Sequence, residues 1–251
     1  MPIVKLSCYL FILLSSVSLA SAQVSLRVLE TNSDEQSQGL LPLYRQSISD
    51  LVMLLNQRFE LSQSLEVVVG ADDGPLFDPQ SEQILIPFEF VTQISHRFEE
   101  ADYLETGITV EQAVSDAILH TLLHEFGHAL VYQYELPIVG KEEDVVDSLA
   151  NFLLINFFQE GQEIVLSAAD LFDLESQDVT EFSDQDFWDE HSLDAQRYFT
   201  SLCHVYGSAS MKYQNLVDQA GFSEERKLLC EEEYLTLERS WSQLLAPLLN
   251  N

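Results

Sequence analysis

Apolar and polar residues alternate along Gln23-Val24-Ser25-Leu26-Arg27-Val28-Leu29-Glu30, the period of two that marks a half-buried strand. Residues 64–69 form a second such run, closed by Gly70, and Ala71-Asp72-Asp73-Gly74-Pro75 reads as a plain turn. Between these strands, residues 31–39 are polar and loop-like. Ile48, Leu51, Val52, Leu54 and Leu55 then recur at helical spacing over residues 43–59. Gln83-Ile84-Leu85-Ile86-Pro87-Phe88-Glu89-Phe90 reads as a hairpin strand. Its proline cannot donate to a ladder, so an edge position is expected.

The period then changes. Thr109 and Gln112 make a capping-box pattern, and Glu111 suits the positive end of a helix dipole. An apolar-rich helix should run from there to about Tyr134, ended by Leu136-Pro137. A second, over residues 141–159, carries Val145, Val146, Leu149, Phe152, Leu153 and Leu154. Residues 162–189 are polar and acidic, and two or three further helices fill 192–249. The expected fold class is α+β: a small N-terminal sheet packed on the helix after Thr109, followed by a mainly helical C-terminal part.

The first 22 residues stand apart. Lys5 precedes an apolar run over residues 6–19, and Ala20-Ser21-Ala22 fits a small-x-small cleavage site. A signal peptide over 1–22 is expected, leaving one domain over 23–251. The apolar run is short for a membrane span, no cysteine follows the cleavage site, and no later segment is long and apolar enough. The expectation is an exported protein, periplasmic or secreted, with no stable membrane insertion. Cys8 would leave with the signal, and Cys203 and Cys230 should then form one disulfide. Closing that loop contributes about 3–4 kcal/mol in the chain-entropy model.

Charge narrows the partners. The formal net charge is −31, and Lys5 is the sole charged residue in 1–22, so cleavage would leave −32. Such a surface repels nucleic acid and anionic lipid. It can attract cationic peptides, although solubility alone accounts for acidic residues on an exported protein.

The helix after Thr109 carries the chemistry: His124-Glu125-Phe126-Gly127-His128, an HExxH motif. Residues four apart lie on one helix face, so His124 and His128 can point at one metal ion. Glu125, about a quarter turn away, would stand beside the metal and take a proton from water held there. Two histidines and a glutamate on a buried helix are otherwise costly unless hydrogen-bonded. A catalytic zinc takes three protein ligands. The extended motif HExxHxxGxxH is excluded by Val131 and Tyr134. The next helix offers Glu142-Glu143-Asp144 and, four residues after Glu143, Asp147. Glu143 is the expected third ligand and Asp147 the acceptor for a ligand histidine's free N–H. Glu142 and Asp144 remain alternatives, and all three acids also suit a helix first turn.

With these residues in view, the chain resembles a bacterial family of metallopeptidase-like proteins of unknown substrate, in the glutamate-zincin group. The resemblance covers nearly all of residues 23–251. It rests on the stretch from Gly74 to Pro79 with Ile86-Pro87-Phe88-Glu89-Phe90, on His124 to Leu130, and on Leu136 to Asp147. It continues through His191-Ser192-Leu193-Asp194-Ala195-Gln196-Arg197-Tyr198, Cys203-His204-Val205-Tyr206-Gly207-Ser208, and Cys230 with Glu233, Tyr234 and Trp241. Departures are Phe126, where the family often has leucine, and Ala209-Ser210, where it has an acid and a proline. The resemblance implies a zincin-like fold and zinc, with no established substrate. Peptide-bond hydrolysis with Glu125 as general base is the expected reaction. A zinc-stabilised binding or chaperone-like protein and an amidase acting on a non-protein bond are the rivals. His191 is a candidate for stabilising the oxyanion, with Tyr198 and Tyr206 as alternatives. His120, one turn before His124, is either a supporting group or a core histidine. The 84–90 strand is a candidate for pairing with an extended peptide or protein substrate.

Overall fold

A computed structural model describes residues 23–30, 35–103 and 107–250, with residues 35–43 described by their backbone alone. The expected signal peptide lies outside the described residues. The fold is α+β. Strand β1 (Val24–Val28), helix α1 (Glu35–Arg58) and strand β2 (Leu65–Val69) form a crossover unit, and β1 and β2 pair in parallel. Strand β4 (Gln83–Ile86) pairs in parallel with β2, and β3 (Leu76–Asp78) pairs antiparallel with β4. The order is β1-β2-β4-β3.

Two readings of this region change. Residues 35–39, expected as loop, belong to α1. The expected edge strand over 83–90 stops at Ile86 and is paired on both sides, so β3 takes the edge on that side of the sheet. Pro87 (φ −67°) does not sit in the ladder. It opens helix α2 (Phe88–Glu100), where a fixed φ suits helix initiation and a missing N–H is harmless.

Helix α3 (Val110–Tyr134) begins as its capping signals suggest: the Thr109 side chain accepts from the Gln112 backbone N–H at 3.2 Å. The Gln112 side chain does not close the box but donates to Asp116 at 2.7 Å. Helix α3 is buried around most of its circumference rather than along one stripe, as befits a central helix. It packs against α1, α2, β3, β4 and two later helices, α4 (Glu142–Phe157) and α5 (Gly161–Ser176). Gly127 lets α4 come close, because a Cβ there would stand 2.9 Å from the Val146 Cβ.

Helix α5 lies inside the stretch read as merely polar and acidic. Val165, Ala168, Ala169 and Phe172 recur at spacings of three and four and are buried, a period hidden by the acids between them. Short α6 (Asp184–Trp188) follows, then α7 (Asp194–Ser208), α8 (Ser210–Gln219) and α9 (Glu224–Leu245). Cys203 of α7 and Cys230 of α9 form a disulfide. Among the described residues no helix is long and apolar enough to cross a membrane.

Candidate metal centre

Three helices bring polar side chains into one seam of an otherwise apolar interior. Helix α3 contributes His128, His124 and His120, each four residues from the next. Helix α4 contributes Glu143, Asp147 and Asn151 at the same spacing, and α7 contributes Arg197, Ser201 and His204. Residues three and four apart share a helix face, so each stripe runs along one side of its helix.

At the open end of the seam, ligand-type atoms converge. His124 Nε2 and His128 Nε2 are 3.3 Å apart. Glu143 Oε2 lies 3.0 Å from the first and 3.2 Å from the second. A tetrahedral zinc with bonds near 2.0–2.1 Å holds its ligand atoms about 3.3 Å apart, so this donor set fits one such ion. His191, from the loop before α7, adds its Nε2 at 3.0 Å from the same Glu143 oxygen. Its ring stacks on that of His124, with centroids 6.3 Å apart.

The three consecutive acids of α4 separate cleanly. Glu143 faces the imidazole nitrogens. Glu142 reaches the far side of His128, with Oε1 2.8 Å from Nδ1. Asp144 turns away and accepts from the Ser192 hydroxyl at 2.9 Å. One turn on, Asp147 Oδ1 lies 2.7 Å from His124 Nδ1, the contact that fixes a ligand histidine's tautomer.

Arg197, to which sequence reasoning assigned no role, holds Asp147 through Nε at 2.7 Å and Nη2 at 3.1 Å. Its guanidinium lies 3.9 Å over the Phe172 ring, and His120 meets that ring edge-on at 5.6 Å. No sequence spacing announces a pair 50 residues apart. The signal available was the polar stripe on α7.

Charge follows geometry. Burial pushes Glu143 up, but hydrogen bonds from His124, His128 and His191 outweigh it and hold the carboxyl far below the usual range. Asp147 is likewise held low, against its burial, by His124 and Arg197. Burial pushes His124 down, yet Asp147 and Glu143 carry it up to about 9. Glu125 is raised by burial, against His124 and His128, while its carboxylate accepts from the Phe77 backbone N–H of β3.

The cleft over these groups is walled by Phe77 and Tyr132, whose rings lie 5.9 Å apart, and by Glu142, Glu190 and His191. Lys141, also overlooked in the sequence, donates to the carbonyls of Asp189 at 2.9 Å and His191 at 3.2 Å. It thereby ties the His191 loop to the start of α4. The tyrosine alternatives lie elsewhere: Tyr206 donates to Gln214 at 3.4 Å, and Tyr198 packs on Phe199. His120 is buried below the centre, and its Nε2 has no hydrogen-bond partner.

No curated protein and no solved structure matches the chain. A family model does, over residues 29–245, and a metallopeptidase family implies a peptide or protein substrate and a metal cofactor. The chain belongs to the family described as "Putative metallopeptidase".

Proposed function

We propose that the protein is an exported, zinc-dependent peptidase in which His124, His128 and Glu143 hold the metal, Glu125 is the general base and His191 steadies the oxyanion. The convergence of two imidazole nitrogens and one carboxylate oxygen within 3.3 Å carries this reading. Zinc, when bound, would polarise the scissile carbonyl and lower the pKa of water toward neutrality. Glu125 is buried, so its raised pKa suits it to take a proton and return it to the leaving amine. The Phe77 N–H orients that carboxylate. His191 stands half-exposed at the cleft, where its ring can donate to a developing oxyanion. The edge strand β3, whose Leu76 and Phe77 line the cleft, suits an extended peptide. The disulfide supports export, because such bonds persist in oxidising compartments.

A binding protein with little turnover has no use for a buried carboxylate that is not a ligand, and burying one is costly. Metal analysis of the mature protein should find about one zinc per chain, lost in His128→Ala and Glu143→Ala. Equal zinc in all three sinks the ligand assignment. A cleavage profile on proteome-derived peptides then separates a peptidase from an amidase or a binding protein.

A further inference from the structure

Beside the metal centre, on the other side of His191, lies a second hollow of about 380 Å³. Val179, Phe182 and Leu193 give it apolar walls, and Asp186 and Asp194 stand among them. His191 lines both this hollow and the cleft, so the two adjoin across its side chain. The segment that bounds it, residues 178–190, carries six acids and no lysine or arginine, and Asp178 among them pairs with Arg97 at 2.8 Å. It also exposes an apolar surface: Phe182 and Phe187 pair at 5.8 Å, and Trp188 is 75% exposed.

The charges in the wall are unbalanced. Arg197 lines the hollow but is bound twice to Asp147 and has only a longer contact, 3.4 Å, to Asp194, so one guanidinium is shared between two carboxylates. Asp186 accepts only from the neutral Ser183 backbone and hydroxyl. An anionic membrane surface is therefore a poor partner for these aromatics. An apolar stem ending in a positive charge fits, because long basic side chains lay their methylenes on apolar walls and keep the charged end at a polar rim.

We infer that the hollow beside His191 is a specificity pocket for a lysine or arginine side chain of a polypeptide substrate, with Phe187 and Trp188 extending the surface that meets the same chain. The inference rests on the peptidase reading, but its test does not require turnover. Single exposed ion pairs contribute only about 0.2–1 kcal/mol, so several acids acting together should give roughly tenfold discrimination between a basic side chain and a neutral one of similar length. Screening should shrink it as the Debye length falls from about 10 Å at 0.1 M salt to a few ångström.

The probe is a positional set of alanine–glycine octapeptides carrying one arginine, lysine, norleucine or glutamate, titrated into zinc-loaded Glu125→Gln protein. Trp188 emission is the readout, and Trp188→Phe is the control. The expected result is about tenfold tighter binding of the arginine and lysine peptides than of norleucine, with a signal that vanishes in the control. Discrimination should drop about threefold in Asp186→Asn and nearly disappear in 0.5 M NaCl. Norleucine binding as tightly as arginine overturns the pocket, even if the wild type cleaves both, which would leave the peptidase reading intact. Arginine-selective binding at Trp188 without cleavage by the wild type upholds the pocket and removes the peptidase reading. Failure of every peptide to bind overturns the pocket as well.

Discussion

Helices α3, α4 and α7 meet twice along one seam, and the two meetings differ in kind. At the open end, histidines face carboxylates: His124 has Asp147 and Glu143, and His128 has Glu142 and Glu143. One turn deeper the partners are neutral. Asn151 reaches Ser201 and His204 Nδ1, both at 3.2 Å, and His120 lies beneath with an unpartnered Nε2. His124, His120 and His204 are similarly buried, yet His124 is carried up to about 9 while burial drives His120 and His204 down to about 4. Carboxylates make imidazoles basic enough to bind protons or a metal. Amides and hydroxyls leave them neutral, as parts of the packing. The same residue type at helical spacing is thus held basic or kept neutral according to what stands across the seam.

Exchanging Glu125 for Gln breaks this comparison most severely. The substitution keeps shape and removes the proton acceptor, so hydrolysis should fall by on the order of 10²–10⁴-fold or more while zinc content stays unchanged. Steady-state kinetics beside metal analysis decide it. Activity within a few-fold of wild type would make Glu125 a filler like Asn151.

Next in size is the contrast between Asp147 and Asn151. Removing Asp147 leaves buried Arg197 with only its 3.4 Å contact to Asp194, which should cost somewhat less than the roughly 3–5 kcal/mol of a fully broken buried pair, and frees His124, which should weaken zinc about 10–100-fold. Asn151→Ala leaves buried Ser201 and His204 without their amide partner, at a cost near 1–3 kcal/mol, and zinc affinity should not move. Denaturation of metal-free protein and zinc titration of each variant measure both quantities. A loss of zinc affinity in Asn151→Ala equal to that in Asp147→Ala would merge the two ends into one site.

What could be read beforehand follows from range. The HExxH pair, Glu143 and Asp147 lie at spacings within single helices, and the cap at Thr109 is equally local, so periodicity reaches them. Arg197, Phe172 and Lys141 act across 50, 25 and 48 residues of chain, where no spacing rule operates. The fold divides the same way. β1, β2 and α3 follow from their own periods. The edge role went to β3 rather than β4 because strand order is a tertiary fact, and Pro87 serves a helix start as readily as an edge. Helix α5 was obscured because its buried stripe of Val165, Ala168, Ala169 and Phe172 lies within an acidic composition.

Titration separates the two ends by sign. In metal-free protein, His124 has a folded pKa above its unfolded value near 6.5, so its contribution is complete below that pH and is lost as pH rises through about 9. His120 and His204 have folded values near 4. Unfolded chains therefore take up protons first, and stability falls as pH drops from about 6.5 toward 4. Between pH 6.5 and 5 each of these two should cost roughly 1–2 kcal/mol. Melting His124→Gln and His204→Asn beside the parent across pH 5–9 tests both directions. His124→Gln should flatten the alkaline limb and His204→Asn the acid limb. The reverse pattern would contradict the contrast.

The smallest effect comes from Glu142, and it tests whether burial sets the worth of a carboxylate that holds a ligand histidine. From sequence alone, Glu142 is either an alternative third ligand or an acid that eases the start of α4. In the fold it stands to His128 Nδ1 as Asp147 stands to His124 Nδ1, at 2.8 Å and 2.7 Å. The environments differ: the Glu142 side chain is 45% exposed and that of Asp147 only 13%. Water can replace an exposed acceptor at His128, and salt screens it, whereas nothing replaces Asp147. Glu142→Ala should therefore weaken zinc about two- to fivefold, with the deficit shrinking in 0.5 M salt. The Asp147→Ala deficit should be larger and nearly independent of salt. Zinc titrations of both variants at low and high salt give the comparison directly. A Glu142→Ala loss as large and as salt-resistant as that of Asp147→Ala would mean that contact distance, not burial, governs the histidine.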